Sequence, residues 1–86
     1  MILYHVTPSR NMLSIALLGI LPSYAESELK AAWLVSESFI PWAVAHVRKR
    51  HNVENVTVLR VEISRNAVVR SGKRGRWFTY SVIRMK

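Results

Sequence analysis

The 86-residue chain contains no cysteine, which excludes a disulfide framework and thiolate metal sites. It contains no aspartate either, and Glu26, Glu28, Glu37, Glu54 and Glu62 are its only acidic side chains. That shortage weighs against paired-carboxylate chemistry and removes the usual partner that orients a histidine in a nucleophilic triad. No serine sits in a glycine-flanked nucleophile elbow. With three glycines and three prolines there is no low-complexity segment and no internal linker. No apolar run reaches the roughly 20 residues of a membrane span. The start also lacks the basic segment and apolar stretch of a signal peptide. The absence of cysteine is compatible with a reducing cytoplasm, the location expected for this chain.

What is present is a hydrophobic half, with Trp33, Trp42 and Trp77 as large core candidates. One domain over residues 1–86 is expected, burying about 60–65% of its unfolded surface. The net charge is +8 and unevenly spread. Residues 1–43 carry Arg10 and Lys30 against Glu26, Glu28 and Glu37, a net of −1. Residues 44–86 carry eleven Lys and Arg against Glu54 and Glu62, a net of +9. Such asymmetry points to a phosphate-rich partner, nucleic acid above all, although net charge also serves solubility alone.

Hydrophobic periodicity and breakers predict the order β-α-β-α-β-β-β. Residues 2–6 read as a strand, and Thr7-Pro8 as a capping hydroxyl and a first-turn proline. A helix follows over 9–18, with Met12, Leu13, Ala16 and Leu17 on one stripe and Gly19 as its stop. Residues 22–30 form a polar loop. Ala31 to Val35 read as a central strand. A second helix is expected over 39–50, with Pro41 in its first turn and an apolar face of Phe39, Trp42, Ala43, His46 and Val47. Arg48, Lys49 and Arg50 close it, where cations suit the helix dipole. Val56 to Ile63 is the clearest strand, Ser64–Asn66 a turn, and Trp77 to Ile83 a last strand. Strands dominate the second half, so the class is α+β rather than a doubly wound parallel sheet.

The chemistry-bearing candidates are few. His5, His46 and His51 are the only histidines, and no two have the i, i+4 spacing of a helical zinc motif, so no metal site is expected. His46 reads as a half-buried helix-face residue and His51 as a solvated loop residue. His5 ends a short apolar strand just before a helix start, a position that favours anionic ligands. Arg70, Lys73, Arg74 and Arg76 cluster around Gly72 and Gly75, whose backbone suits an approaching anion, and Trp77, Phe78 and Tyr80 follow. The same segment equally suits a solvated hairpin loop. Alternation puts Trp77 and Thr79 on one face of the strand and Phe78 and Tyr80 on the other.

Leu3-Tyr4-His5-Val6-Thr7, the helical Ser14-Ile15 pair and Gly19-Ile20-Leu21-Pro22 together resemble the opening of the ADP-ribosyltransferase superfold. Ala32-Trp33-Leu34-Val35-Ser36 resembles its second motif strand, and Val58-Leu59-Arg60-Val61-Glu62-Ile63 the strand after it. The resemblance covers most of the chain through short, degenerate motifs. It implies a split antiparallel sheet whose cleft holds NAD as a substrate, with His5 on the ribose and Thr7 and Ser36 completing the cofactor pocket. The third motif departs from the family. Arg76 stands where transferases usually carry a glutamate, and an arginine opposes the charge of an oxocarbenium-like transition state.

The second half, with Ala45-His46-Val47-Arg48 leading into the next strand, resembles the tRNA 2′-phosphotransferase branch, which works without that glutamate. That branch has arginine where Tyr4 stands here, and it carries an additional N-terminal lobe. The resemblance implies His5 and Arg76 as catalytic residues. An RNA partner would lie on Arg48, Lys49, Arg50, Arg70, Lys73, Arg74 and Arg76. A non-enzymatic basic domain that binds nucleic acid or a protein is the alternative.

Overall fold

The computed structural model describes residues 1–22, 31–72, 75–80 and 82–84. The expected loop over 23–30, and with it Glu26 and Glu28, lies outside the described residues, as do Lys73 and Arg74.

The expected element order holds. Strand β1 spans Ile2–Pro8, helix α1 Met12–Leu18, β2 Ala32–Val35, α2 Ile40–His51, β3 Val56–Glu62, β4 Val69–Arg70 and β5 Arg76–Thr79. The strands form one antiparallel sheet in the order β3-β1-β2-β5-β4, so β2 is central as its apolar sequence requires. The pairings are unequal. β1 pairs with β3 continuously from Ile2↔Glu62 to Pro8↔Val56, and β2 with β5 from Ala32↔Thr79 to Val35↔Arg76. β1 and β2 meet in register only at Tyr4↔Val35. The sheet is therefore two paired halves joined at one point.

One face of both halves carries the main core. Leu3, Leu34, Ala32, Val61 and Val68 pack there with Ile15 of α1 and Ile20, while Trp77, Leu59 and Met12 add partly buried surface. Trp77 and Leu34 are opposite each other in register, so they share that face. The alternation expected for β5 is observed, because Phe78 turns the other way and packs against Trp33 and Tyr80, at centroid distances of 5.1 and 5.4 Å. Helix α2 packs on β1 and β3, burying Ala43 and Val47.

Several local expectations need correction. Thr7 and Pro8 do not open the first helix but end β1, and a 3-10 turn over Ser9–Asn11 comes between. The Thr7 hydroxyl accepts from the Asn11 side-chain amide at 3.2 Å and caps no backbone N–H. The buried stripe of α1 is Met12 and Ile15, whereas Leu13 and Leu17 are 75% and 73% exposed and Ala16 is also exposed. The helix is only two turns long and apolar on nearly every side, so composition favours no face; packing against Leu3 and Leu34 selects Ile15. Helix α2 continues through His51, because Asn52 adopts the left-handed conformation (φ 50°, ψ 51°) and ends it there. The last strand stops at Thr79, and Ile83 instead bridges to Ile20.

That bridge explains Gly19. Its φ is +81°, and a Cβ there would lie 2.5 Å from the Ile83 carbonyl oxygen, so a side chain would part the two segments.

Candidate functional site

Where β1 and β2 diverge from Tyr4↔Val35, a cleft of about 270 Å³ opens between β1, β2, the start of β5, one face of α2 along its length, and α1 with the residues after it. His5 and Thr7 line it from β1, Trp33 and Val35 from β2, Trp42, His46 and His51 from α2, and Arg76 from β5. Thr7 is 4% exposed, and His5 and Arg76 are half-buried.

His5 is held by a side-chain hydrogen bond across the split. Its Nδ1 lies 2.9 Å from the Trp33 carbonyl oxygen. A carbonyl can only accept, so the ring donates and its neutral form carries the proton on Nδ1 and the lone pair on Nε2. The imidazole thus takes the place of a backbone donor where strand pairing lapses. Loss of that bond would leave a strand carbonyl without this donor.

The opposite wall is a layered arrangement. The Arg76 guanidinium carbon lies 4.4 Å from the centre of the Trp42 ring, and the Trp42 and His46 rings stack at 5.0 Å with planes 13° apart. Trp42 and His46 occupy successive turns of α2, the i, i+4 relation that brings side chains together on a helix. Trp42 is 41% exposed, so the indole is open to solvent although it was expected on the apolar helix face.

Arg76 is positioned by the turn before it. Gly75 has φ +75°, and a Cβ there would collide with the Phe39 ring. The Gly75 carbonyl accepts from the Ser36 N–H at 3.0 Å, which ties the start of β5 to the end of β2. Ser36 therefore stands beside the cleft but is not among its lining residues. The Trp33 Nε1 is the one buried side-chain nitrogen or oxygen among the described residues without a hydrogen-bond partner.

The structure thus brings His5, Thr7 and Arg76 together and leaves Ser36 just outside. Of the expected basic cluster, the two described members, Arg70 and Arg76, lie against different rings. Arg76 turns to Trp42, whereas Arg70 lies opposite Trp77 in register, and its guanidinium carbon is 5.9 Å from that ring. Arg48, Lys49 and Arg50 are exposed on the last turn of α2, where the Arg48 Nε donates to the Glu54 carbonyl at 3.0 Å. Their neighbour His51, expected in a solvated loop, is half-buried and lines the cleft. Sequence reading did not anticipate that all three histidines line the same cleft. Among the described residues no group of His, Cys, Asp or Glu is placed to hold a metal ion. No helix among them is long and apolar enough to cross a membrane.

Comparison with protein-family models, curated proteins and solved structures finds no match to this chain.

Proposed function

We propose that the cleft binds one nucleoside end of NAD and that the domain is an ADP-ribosyltransferase-like protein of the cytoplasm, acting on or near RNA. The single observation that supports this reading most is the placement of His5, Thr7 and Arg76 around one cleft at the split of the sheet. A volume of about 270 Å³ lies just below the roughly 300–1,000 Å³ of small-molecule pockets and suits a nicotinamide riboside rather than the whole dinucleotide.

The residues suit such a ligand. His5 lines the cleft with its ring oriented by the Nδ1 bond to the Trp33 carbonyl, which suits an imidazole edge meeting a ribose hydroxyl. The Arg76–Trp42–His46 stack forms a flat, partly exposed wall against which a ligand ring would pack edge-on. The unpartnered Trp33 indole N–H is a donor that an amide or hydroxyl oxygen would satisfy. NAD, when bound, supplies the activated glycosidic carbon; the chain supplies orientation and charge. Arg76 at the start of β5 repels a developing ribosyl cation and attracts a phosphate, so the favoured acceptor is a phosphorylated group, as on an RNA 2′-position. Arg48, Lys49, Arg50, Arg70 and Arg76 supply the surrounding positive charge.

A thermal-shift titration tests the reading. NAD at about 100 times its dissociation constant stabilises a fold by roughly 2.7 kcal/mol. The shift is expected in the parent protein and lost in His5→Ala. No shift with NAD or ADP-ribose, or an unchanged shift in that variant, overturns it. The second reading, a non-enzymatic basic domain, draws on the arginine at the position of the family glutamate. It predicts nucleic-acid binding without any NAD response.

A further inference from the structure

We propose that Arg65 and Arg70, gathered around Trp77, form a phosphate clamp for the backbone of single-stranded nucleic acid, separate from the cleft. The clamp rests on the nucleic-acid part of the function proposed above and gives it a location.

Trp77 is reached from two directions. Arg65 comes from the 3-10 turn Arg65–Ala67, with its guanidinium carbon 4.8 Å from the indole centre. Arg70 comes from β4, the strand at one edge of the sheet, where it lies opposite Trp77 in register. Both distances are within the range of a cation–π contact. None of the three residues lines the cleft, and strand alternation puts Trp77 and Arg76 on opposite faces.

Two like charges therefore share one ring, and both side chains are exposed. Among the described residues neither guanidinium has a carboxylate within ion-pair reach. Contact with a ring uses none of the five N–H donors of a guanidinium, so both forks remain suited to a bridging oxyanion. The indole also limits where each long side chain can go, which lowers the ordering cost on binding.

The chemistry favours phosphate. Nine of the thirteen basic residues are arginine, the side chain whose planar fork matches phosphate bidentately. The surplus charge lies in the half of the chain that holds the clamp. A nucleic-acid strand presents such groups in series. Because the indole is already engaged by guanidinium groups, it is not offered to bases, and recognition is of the backbone and independent of sequence.

Fluorescence anisotropy with a labelled oligouridylate of about 12 nucleotides, between about 50 and 200 mM salt, tests the clamp. Arg65→Ala/Arg70→Ala is expected to weaken binding about tenfold at the low-salt end. The log–log salt slope should become shallower by roughly 1.4, at about 0.7 per lost phosphate contact. Arg10→Ala/Arg60→Ala removes the same charge, with Arg60 on β3 at the other edge of the sheet, and is expected to weaken binding only about twofold.

Equal losses in the two double variants, or no binding by the parent protein, overturn the clamp. Arg65→Lys/Arg70→Lys keeps the charge and removes the forks. It is expected to keep the salt slope while losing affinity, and parental affinity in this pair also overturns the proposal. Should the alanine pair fail to fold by circular dichroism, the lysine pair carries the test. The NAD thermal shift of the lysine pair is expected to stay parental, so failure of the cleft reading and failure of the clamp are seen separately.

Discussion

The Arg76 guanidinium carbon lies 4.4 Å from the centre of the Trp42 indole, joining the first residue of β5 to the first turn of α2. This contact spans elements far apart in sequence and sets one wall of the cleft. A partly exposed cation–π pair contributes about 0.5–1 kcal/mol. A double-mutant cycle on Arg76→Ala and Trp42→Ala, read by thermal or urea unfolding, should return a coupling of that size. Strict additivity would show that the two side chains are merely neighbours.

Under the function proposed above, His5 combines a structural role through Nδ1 with a separate ligand role in the cleft. Asparagine places an amide donor close to the position of Nδ1, so His5→Asn should keep the bond to the Trp33 carbonyl and most of the stability. His5→Ala should lose about 1–2 kcal/mol, because that carbonyl loses its donor. Both variants lack Nε2, and neither should respond to NAD. Unfolding curves and the ligand shift, measured on the same samples, separate the two roles.

Gly75 and Gly72 make a matched pair. Alanine at 75 meets the Phe39 ring and must hold a positive φ, so Gly75→Ala should cost about 2 kcal/mol or more. In a domain of this size that lowers the melting temperature by roughly 8–16 °C. Nothing lies within 4 Å of a Cβ at Gly72, and Gly72→Ala should change stability by less than about 0.5 kcal/mol. Calorimetric melting of both variants decides the matter.

The phase of α1 is open to the same kind of comparison. Ile15 is 7% exposed and packs in the core, so Ile15→Ala should cost about 2–4 kcal/mol. Leu17 is 73% exposed, and Leu17→Ala should fall within about 0.5 kcal/mol of the parent. Reversal of that order in urea unfolding would mean that the helix turns its leucine face inward.

Element order was legible from the chain, because β-branched runs such as Val56 to Val61 and stops such as Gly19 act locally. The antiparallel pairing was expected only through the family resemblance. The face of α1 was not, since an apolar two-turn helix takes its direction from what it meets. Thr7 suited a helix cap by type, yet seven consecutive pairings with β3 hold it in extended backbone. The meeting of His5 with Arg76 was foreseen only through family resemblance; no spacing rule brings residues of β1 and β5 together. His51 escaped notice because a single left-handed asparagine decides whether it belongs to the helix or to the loop.

The register Ile2↔Glu62 has a consequence for synthesis on the ribosome. β1 is made first, but its full partner β3 is completed only when more than half of the chain has emerged. Apart from the β4–β5 hairpin, no strand pairing closes a loop shorter than the one from Tyr4 to Val35. Loop closure comes before contact for nearly the whole sheet, which slows folding relative to a helical bundle of equal length. Until then the long edge of β1 that β3 will cover is open and the exposed leucines of α1 are nearby, so the nascent chain is most prone to association before Val56 to Glu62 arrives.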